Sequence, residues 1–300
     1  GATEKGPHKA ACSDIQYMRA ARKSVKKNKW GMFCIPGIAT LDHVRLAADE
    51  GMDFIRIGTD VTEVSQSQPF IELALKNNIE VFSNFMKSYV LEPEEFGSLV
   101  IQARSYGSQM VYLVDSAGGM LPNEVKNFIE AAKDMAPDVP LGFHGHNNLG
   151  LGVANSLICS ELGVDMVDTS LQGYGRSAGN TGTKQLISTL IRAGFDTEIS
   201  SLEVMQLGEI HIRPLIDSKG ISSLDIAAGE ALFHSSYMSK VVNIAVQKKV
   251  DPRALIIELC KINKIEAPIE LVKEIAKKLQ STNPAPINIP FKKYYGEEQS

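Results

Sequence analysis

Short hydrophobic runs alternate along the chain with longer stretches in which hydrophobic residues recur every three or four positions. The short runs predict buried β-strands, and the longer stretches predict amphipathic helices. One strand and one helix together take about 25 to 30 residues, which is the size of one βαβ step. The sequence therefore predicts parallel strands at 31–35, 54–58, 80–84, 110–115, 141–146 and 166–171.

Helices are predicted around these strands and again after the last of them. The first group of helices covers 14–26, 41–49, 68–76, 93–106, 122–135, 152–162 and 184–193. Beyond residue 195 only the helical pattern remains, at 202–216, 223–246, 252–262 and 268–279. We therefore predict a partial barrel domain at 1–195, a helical domain at 196–281 and a flexible, Pro-rich and charged tail at 282–300.

Six strands with intervening helices are compatible with a doubly wound sheet or with a barrel. Polar residues end most of the strands, and they are Asp60, Asp115, His144, His146 and Gln172. This favours the barrel, because barrel enzymes carry their chemistry at the C-terminal ends of the strands. No Gly-x-Gly-x-x-Gly turn follows the first strand, as a dinucleotide-binding sheet requires. We predict the α/β class and a TIM-type (β/α)8 barrel, of which six strands are visible and the first two βα units are absent.

Composition and charge exclude several classes of protein. With 300 residues, of which 44% are hydrophobic and 22% charged, the chain can bury a large core. Its net charge of -4 and its lack of basic runs argue against binding to nucleic acid. The four cysteines form no Cys-x-x-Cys pair, which fits a reducing cytoplasm. No run of eighteen apolar residues occurs, so membrane insertion is not expected.

The strongest local signal for chemistry is the pair His144 and His146 at the end of the fifth strand. Alternate side chains of a strand share a face, so both imidazoles project the same way with only Gly145 between them. Two imidazoles in this arrangement can bind one divalent cation. The alternative is a pair of hydrogen-bonded polar residues at a barrel rim, and we prefer metal ligation.

Two further segments follow neighbouring strands. The loop 172–180 contains three glycines, among them Gly175, whose missing side chains allow a ligand to approach closely; a tight strand-to-helix turn is the alternative. Asp115, followed by Ser116, ends the strand before the histidines. A buried carboxylate needs a metal, a cation or hydrogen-bond donors, and Arg56 is the candidate ion-pair partner.

These segments resemble the family of 4-hydroxy-2-oxovalerate aldolases, relatives of the hydroxymethylglutaryl-CoA lyases and isopropylmalate synthases. The resemblance extends from about residue 13 to about residue 241. It rests on His-Gly-His-Asn-Asn-Leu-Gly at 144–150, Gly-x-Gly-x-x-Ala-Gly-Asn at 173–180, Asp-Ser-x-Gly at 115–118 and Ile-Arg-Pro-Leu at 212–215.

The resemblance implies an enzyme that cleaves 4-hydroxy-2-oxo acids to pyruvate and an aldehyde. In that family the two histidines bind a divalent metal, which assigns this role to His144 and His146. Mn2+ is the first choice, with Mg2+ and Co2+ as alternatives. The metal, chelated by the carboxylate and keto oxygens of the substrate, stabilises the enolate that carbon–carbon cleavage produces.

The resemblance further implies that these residues contact the substrate: Asp115, Ser116, Phe33, Ile35, Gly175 and Asn180. The Asp-Ser pair matches the family's strand end near the bound pyruvate. The two residues of the first visible strand fall where side chains shape the aldehyde pocket. The asparagine matches a further metal ligand of the CoA-dependent relatives.

The helical region departs from the family pattern at one position. Residues 232–237 match a family segment with a tyrosine that reaches the active site, but His234 stands in its place. We predict a catalytic role for His234 in proton transfer near neutral pH, with a solvated histidine as the alternative. In the family this domain docks an acylating aldehyde dehydrogenase and passes the aldehyde to it, so the resemblance implies such a partner.

A second departure concerns the first two βα units. The family begins with a strand ending in Thr-Leu-Arg-Asp-Gly, whose Asp is the third metal ligand, and this motif does not occur here. Thr-Leu-Asp-His at 40–43 resembles it only superficially, because we expect it at the start of a helix. A closed barrel needs eight strands. Six strands leave two sheet edges that favour aggregation or pairing with another chain. We therefore expect either an incomplete version of a longer protein or something else that covers the gap, and we expect an oligomer.

Two other functions stay open. One is a CoA-dependent lyase or Claisen synthase of the same superfamily, which ranks lower because no obvious basic cluster for the phosphates of an acyl-CoA is present. The other is a catalytically incomplete scaffold that keeps His144 and His146 but binds a partner protein. Metal affinity separates these hypotheses, because two histidines without a third ligand bind a cation weakly.

Overall fold

The computed structural model describes residues 10–216 and 221–282, and the predicted alternation of strands and helices is present in them. The strands are β1 (Gly31–Cys34), β2 (Phe54–Asp60), β3 (Glu80–Met86), β4 (Met110–Asp115), β5 (Leu141–Gly145) and β6 (Met166–Val167). The helices up to β6 are α1 (Asp14–Ser24), α2 (Leu41–Asp49), α3 (Gln68–Lys76), α4 (Pro93–Tyr106), α5 (Pro122–Met135) and α6 (Gly152–Glu161).

The described residues after β6 contain helices and turns, as the sequence predicts. The helices are α7 (Thr183–Arg192), α8 (Ser201–Leu207), α9 (Ser223–Ala231), α10 (Met238–Lys248), α11 (Pro252–Cys260) and α12 (Ile269–Thr282). Within the described ranges, none of the helices has the combination of length and apolar character that crossing a bilayer requires.

The six strands form one sheet in which each strand lies beside its sequence neighbours, in the order β1-β2-β3-β4-β5-β6. The pairings from β1 to β4 are parallel, with Gly31 opposite Phe54 and Phe54 opposite Glu80. A doubly wound sheet reverses its strand order at a switch point, whereas a barrel adds strands in sequence order. The predicted α/β class of the TIM-type barrel is therefore confirmed, with six strands in the described residues.

The described chain divides into two compact units. The first unit contains residues 10–114 and 128–142, and its buried core includes Met18, Trp30, Val44, Ile57 and Val81. The second unit contains the remaining described residues, and its helices bury Leu224, Met238, Val241, Leu255 and Leu259. The domain limits at 195 and 281 stay predictions, and residues 283–300 of the predicted tail lie outside the described residues.

Capping residues explain why several helices begin and end where the sequence predicts. Helix α4 starts at Pro93, whose fixed φ suits the first helical turn, and Glu92 and Glu95 form a capping box there. The helix ends at Gly107, whose φ of 104° is accessible mainly to glycine. The predicted limits of α2, α3, α4 and α5 all agree with the structure.

The segment 40–43 begins helix α2, as expected. The Thr40 backbone N–H donates a hydrogen bond of 3.0 Å to Nδ1 of His43, which forms part of a capping box. His43 therefore stabilises a helix end, and the likeness of this segment to the family's first strand is superficial.

The predicted strand 166–171 is wrong in extent, since only Met166–Val167 is a strand. Ser170 instead pairs with the segment that follows the loop. Its N–H donates to the carbonyl of Thr181 over 3.1 Å, and its own carbonyl accepts from the Thr183 N–H over 3.0 Å. Residues beyond Val167 therefore leave the sheet and begin the loop that carries Gly175.

Two predicted helices are also wrong in extent. The helix predicted at 223–246 breaks at Leu232, which adopts a left-handed φ of 56° and ends α9. The helix predicted at 202–216 is α-helical only to Leu207 and continues as a π-helical turn and a 3-10 turn that contains Pro214. Gly208 follows Leu207 directly and Pro214 lies further on, so this change had a local signal, whereas no glycine or proline marks the break at Leu232.

Candidate functional site

His144 and His146 lie side by side at the end of β5. His144 belongs to the strand and His146 follows its last residue, and their ring centroids are 5.3 Å apart with the rings nearly perpendicular. Both side chains are half-buried. The alternation of side chains along a strand produces this arrangement, so the sequence-based expectation that the two imidazoles share a face agrees with the geometry.

The ring of His144 is oriented by a carboxylate. Its Nδ1 lies 2.8 Å from Oδ2 of Asp168, and both side chains are largely shielded from solvent. A carboxylate accepts hydrogen bonds, so Nδ1 carries the proton and the lone pair of His144 is on Nε2. This is the tautomer in which a histidine can ligate a metal through Nε2.

Asp168 was not identified from the sequence, although a signal for it exists. It follows β6 directly, and its backbone N–H donates to the carbonyl of Phe143 over 2.9 Å, level with His144. A carboxylate that follows the strand next to a His-x-His strand is a candidate to orient one of the two histidines.

His146 is held in its neutral form. Burial lowers its pKa to about 3, and the positive charge of Arg176, together with that of His144 and His234 when they are protonated, acts in the same direction. Among the described residues its Nδ1 is buried and has no hydrogen-bond partner. A buried polar atom without a partner is costly, and a ligand at this nitrogen would satisfy it.

Asn180 is brought to the histidines by backbone contacts. His146 and Asn180 form an isolated β-bridge, and the N–H of Asn147 donates to the carbonyl of Gly179 over 3.0 Å. The Asn180 Nδ2 donates to the Tyr174 carbonyl over 3.2 Å. Its Oδ1 is buried and lacks a hydrogen-bond partner in the described part of the chain, so it is a second unsatisfied atom beside the histidine pair.

Gly175 makes room for the Asn180 amide. A Cβ at Gly175 would lie 2.5 Å from Nδ2 and 2.8 Å from Oδ1 of Asn180, which is closer than atoms can approach. The backbone of the glycine-rich loop therefore passes directly beside the Asn180 amide. The structure assigns Gly175 a steric role, and direct substrate contact by Gly175 stays a prediction.

These donor atoms fit a divalent cation. Two imidazole nitrogens and one amide oxygen suit the first-row divalent metals, and the remaining positions would be left to water or substrate. Within residues 10–216 and 221–282 no group of three or more His, Cys, Asp or Glu side chains is arranged to hold a metal. The two histidines and Asn180 are therefore the candidate ligands, and a metal at this site stays a prediction.

Asp115 receives hydrogen bonds from its own loop. It is buried, and its carboxylate accepts from the backbone N–H groups of Gly119 and Met120, each over 3.1 Å. Burial raises the pKa of Asp115 to about 6, and the backbone hydrogen bonds partly offset this rise. Hydrogen-bond donors thus satisfy this carboxylate, while Arg56 donates to Asn84 over 3.0 Å. The suggested ion pair of Arg56 with Asp115 stays a prediction.

Ser116 and His234 lie in the same compact unit as the histidine pair. Ser116 is buried. Nδ1 of His234 accepts from the Ser236 backbone N–H over 3.2 Å and lies 2.7 Å from its hydroxyl oxygen. The neutral His234 therefore carries its proton on Nε2, the reverse of His144. When protonated, His234 contributes to the lowered pKa of His146, after burial and the contribution of His144.

Phe33 and Ile35 belong to the other compact unit. Phe33 is 48% exposed, and its ring covers Gly58, where a Cβ would come within 2.3 Å of it. Ile35 is half-buried, and its carbonyl accepts the N–H groups that close the turn after β1. Their predicted role in the aldehyde pocket stays a prediction.

This chain resembles known proteins in sequence and in fold. The family model described as HMGL-like matches residues 4–210. A 4-hydroxy-2-oxovalerate aldolase from Carboxydothermus hydrogenoformans is 34% identical over 282 residues, which cover 91% of this chain and 82% of the relative. A second, from Geobacillus genomosp. 3, is 33% identical over 269 residues, which cover 89% of this chain and 80% of the relative.

A solved structure supports the fold alone. The carboxyl transferase domain of Rhizobium etli pyruvate carboxylase, solved with pyruvate, has a TM-score of 0.74 at 15% identity, covering 91% of this chain and 52% of that chain. The match to the family model and the two aldolase relatives identify the family and the type of enzyme. The chain belongs to the HMGL-like family, and within it to the aldolases, which are carbon–carbon lyases.

Proposed function

We propose that this enzyme cleaves 4-hydroxy-2-oxo acids, with 4-hydroxy-2-oxovalerate as the representative substrate, to pyruvate and an aldehyde, and that it requires a divalent cation. The single observation that carries the proposal is the pair of buried atoms without a hydrogen-bond partner, His146 Nδ1 and Asn180 Oδ1, next to His144, whose ring Asp168 orients. The names of the relatives at 33% and 34% identity support the substrate class.

His144 through Nε2, His146 through Nδ1 and Asn180 through Oδ1 would hold the cation. Mn2+ is the first choice, and Mg2+ or Co2+ are the alternatives. When bound, such a cation stabilises the negative charge that develops on the keto oxygen as the carbon–carbon bond breaks. Asp168 orients His144 through the hydrogen bond of 2.8 Å and keeps the ligating nitrogen unprotonated.

His234 acts as a hydrogen-bond donor in this proposal. Because Nδ1 accepts from the Ser236 N–H, the neutral ring can donate only through Nε2. To act as a base, His234 would need a lone pair on Nε2. In this tautomer Nε2 carries a proton instead. We therefore assign His234 as a hydrogen-bond donor that orients the oxygen of the aldehyde half of the substrate, in place of the general proton transfer that the sequence suggested. The proton of the C4 hydroxyl group leaves to a solvent water as the carbon–carbon bond breaks.

Two further parts of the proposal follow from the family resemblance. The aldehyde product would pass to an acylating aldehyde dehydrogenase that docks on the helical part of the chain, and the enzyme would act in the cytoplasm as an oligomer. Copurification of the enzyme with such a dehydrogenase, followed by measurement of aldehyde escape, tests the first part.

The substrate class is tested by supplying 4-hydroxy-2-oxovalerate and hydroxymethylglutaryl-CoA separately, each with Mn2+. Pyruvate release is followed with lactate dehydrogenase, and thioester cleavage by chromatography. We expect pyruvate from the first substrate and no cleavage of the second. Cleavage of the thioester alone would favour a CoA-dependent lyase, and folded protein that binds Mn2+ but cleaves neither would favour a scaffold.

A further inference from the structure

Arg176 is a cation beside the histidine pair that the proposed mechanism leaves unused. It lies in the loop after β6, and its carbonyl accepts the Gly179 N–H over 3.0 Å. The carbonyl of Gly179 in turn accepts from Asn147, the neighbour of His146, over 3.0 Å. These backbone contacts place the Cα atom of Arg176 next to the histidine pair.

No carboxylate neutralises Arg176 within residues 10–216 and 221–282. Two acidic residues of neighbouring segments have other partners: Asp168 binds His144, and Asp225 accepts from the hydroxyl of Ser177 over 2.7 Å. Arg176 is exposed to solvent. Desolvation lowers the pKa of its guanidinium below the ordinary value, and its positive charge helps to lower the pKa of His146. An accessible guanidinium without a counter-charge can bind an anion through paired hydrogen bonds.

The position of Arg176 is set by its neighbours. Ser177 adopts a left-handed φ of 58°, which is uncommon for residues other than glycine. Its hydroxyl donates to Asp225 and accepts from Nδ2 of Asn148 over 2.9 Å, and Ser222 donates to the same Asp225 carboxylate over 2.6 Å. This buried network stabilises the unusual conformation and so holds the adjacent arginine in place.

We propose that Arg176 binds the carboxylate of the 2-oxo acid and thereby determines that the enzyme accepts an acid and not its neutral analogues. The inference rests on the proposed function for the choice of a 2-oxo acid. A guanidinium matches a carboxylate with two parallel hydrogen bonds, which a single point charge does not provide. Arg176 is thus a specificity-determining residue that contacts the half of the substrate that becomes pyruvate.

The test compares pyruvate with pyruvamide, which keeps the 2-oxo group but has no charge. Binding of each ligand is measured by isothermal titration calorimetry with Mn2+ present, in wild type, Arg176→Gln and Arg176→Lys. Arg192→Gln is the matched control, because Arg192 is an exposed arginine in the last turn of α7. Thermal unfolding of each variant confirms that it is folded.

We expect Arg176→Gln to weaken pyruvate binding about 30-fold and to leave pyruvamide binding within about 3-fold. Arg176→Lys should recover part of the loss, since it restores the charge without the planar fork. Arg192→Gln should bind both ligands as wild type does.

Several outcomes would overturn the inference. Equal weakening of both ligands would mean that Arg176 shapes the loop, and no weakening would mean that it does not reach the carboxylate. Wild type that fails to bind pyruvate also refutes it. The proposed function fails separately: an enzyme that binds pyruvate through Arg176 but does not cleave 4-hydroxy-2-oxovalerate would keep this inference and reject that activity.

Discussion

His144 and His234 are both hydrogen-bonded through Nδ1, but in opposite senses. Asp168 accepts from His144 and leaves a lone pair on Nε2, whereas Ser236 donates to His234 and leaves a proton there. The same side chain can therefore serve as a ligand at one position and as a hydrogen-bond donor at the other. The partner of each ring, and not the histidine itself, decides its chemistry.

The first prediction concerns Asp168, which orients His144. Asp168→Asn keeps the size of the side chain but replaces the carboxylate by a weaker acceptor, so the tautomer and orientation of His144 are less well fixed. We expect Mn2+ affinity to fall about 10- to 100-fold, as observed generally when the partner of a metal-binding histidine is changed. Electron paramagnetic resonance of free Mn2+ measures this, with the exposed Asp196→Asn as control. Equal affinities in the two variants would contradict the assignment.

The second prediction concerns Asp115, whose pKa burial raises to about 6 from 3.8. A raised pKa means that the folded chain binds this proton more tightly than the unfolded chain does. The group therefore stabilises the folded state fully below about pH 4, and this contribution is lost as the pH rises through 6.

Asp115→Asn removes this titration. The free energy of unfolding of the variant, relative to wild type, should rise by up to about 3 kcal/mol between pH 4 and pH 7, at about 1.4 kcal/mol for each pKa unit. Urea unfolding at four pH values measures the difference. A difference that stays constant would show that Asp115 titrates in its ordinary range, and one that falls with pH would show that its pKa is lowered; either result contradicts the prediction.

At the scale of elements, the sequence predicts those helices and strands best whose ends carry a local signal. Helix α4 begins with a proline and ends before a glycine, and its predicted limits agree with the structure. The turn at Leu232 has no such signal, because leucine has no preference of its own for a left-handed conformation. The loss of strand after Val167 likewise depends on pairing of Ser170 with a distant segment.

The third prediction tests the element that carries Asn180. Gly175→Ala introduces a Cβ at 2.5 Å from the Asn180 amide, so the amide must shift from its present position. We expect pyruvate release to fall about 10- to 100-fold, because small displacements of site groups are costly to catalysis. The melting temperature should change little, since the loop is partly exposed.

Gly51→Ala is the control for that experiment. Gly51 has a φ of 74° and no atom within 4 Å of its Cβ position, so the substitution strains the backbone without crowding any side chain. It should lower stability modestly and leave pyruvate release intact. Similar activity losses in both variants would show that Gly175 has no special relation to Asn180.

At the scale of the whole molecule, the sequence predicts the fold more completely than the site. The order of strands and helices follows from a repeating pattern, so the barrel class could be predicted in full. His144 and His146 could be predicted because two residues of one strand share a face. Asp168 and the buried network around Arg176 could not, because their partners come from segments that only the folded chain brings together.

The measurement that tests the central claim most directly is pyruvate release from 4-hydroxy-2-oxovalerate with and without a chelator. Wild type is compared with a variant that carries His144→Ala and His146→Ala, and with His211→Ala, an exposed histidine outside the site, as control. We predict release that the chelator abolishes, that Mn2+ restores, and that only the double variant loses. Release that survives both the chelator and the double substitution would contradict a metal-dependent site at the two histidines.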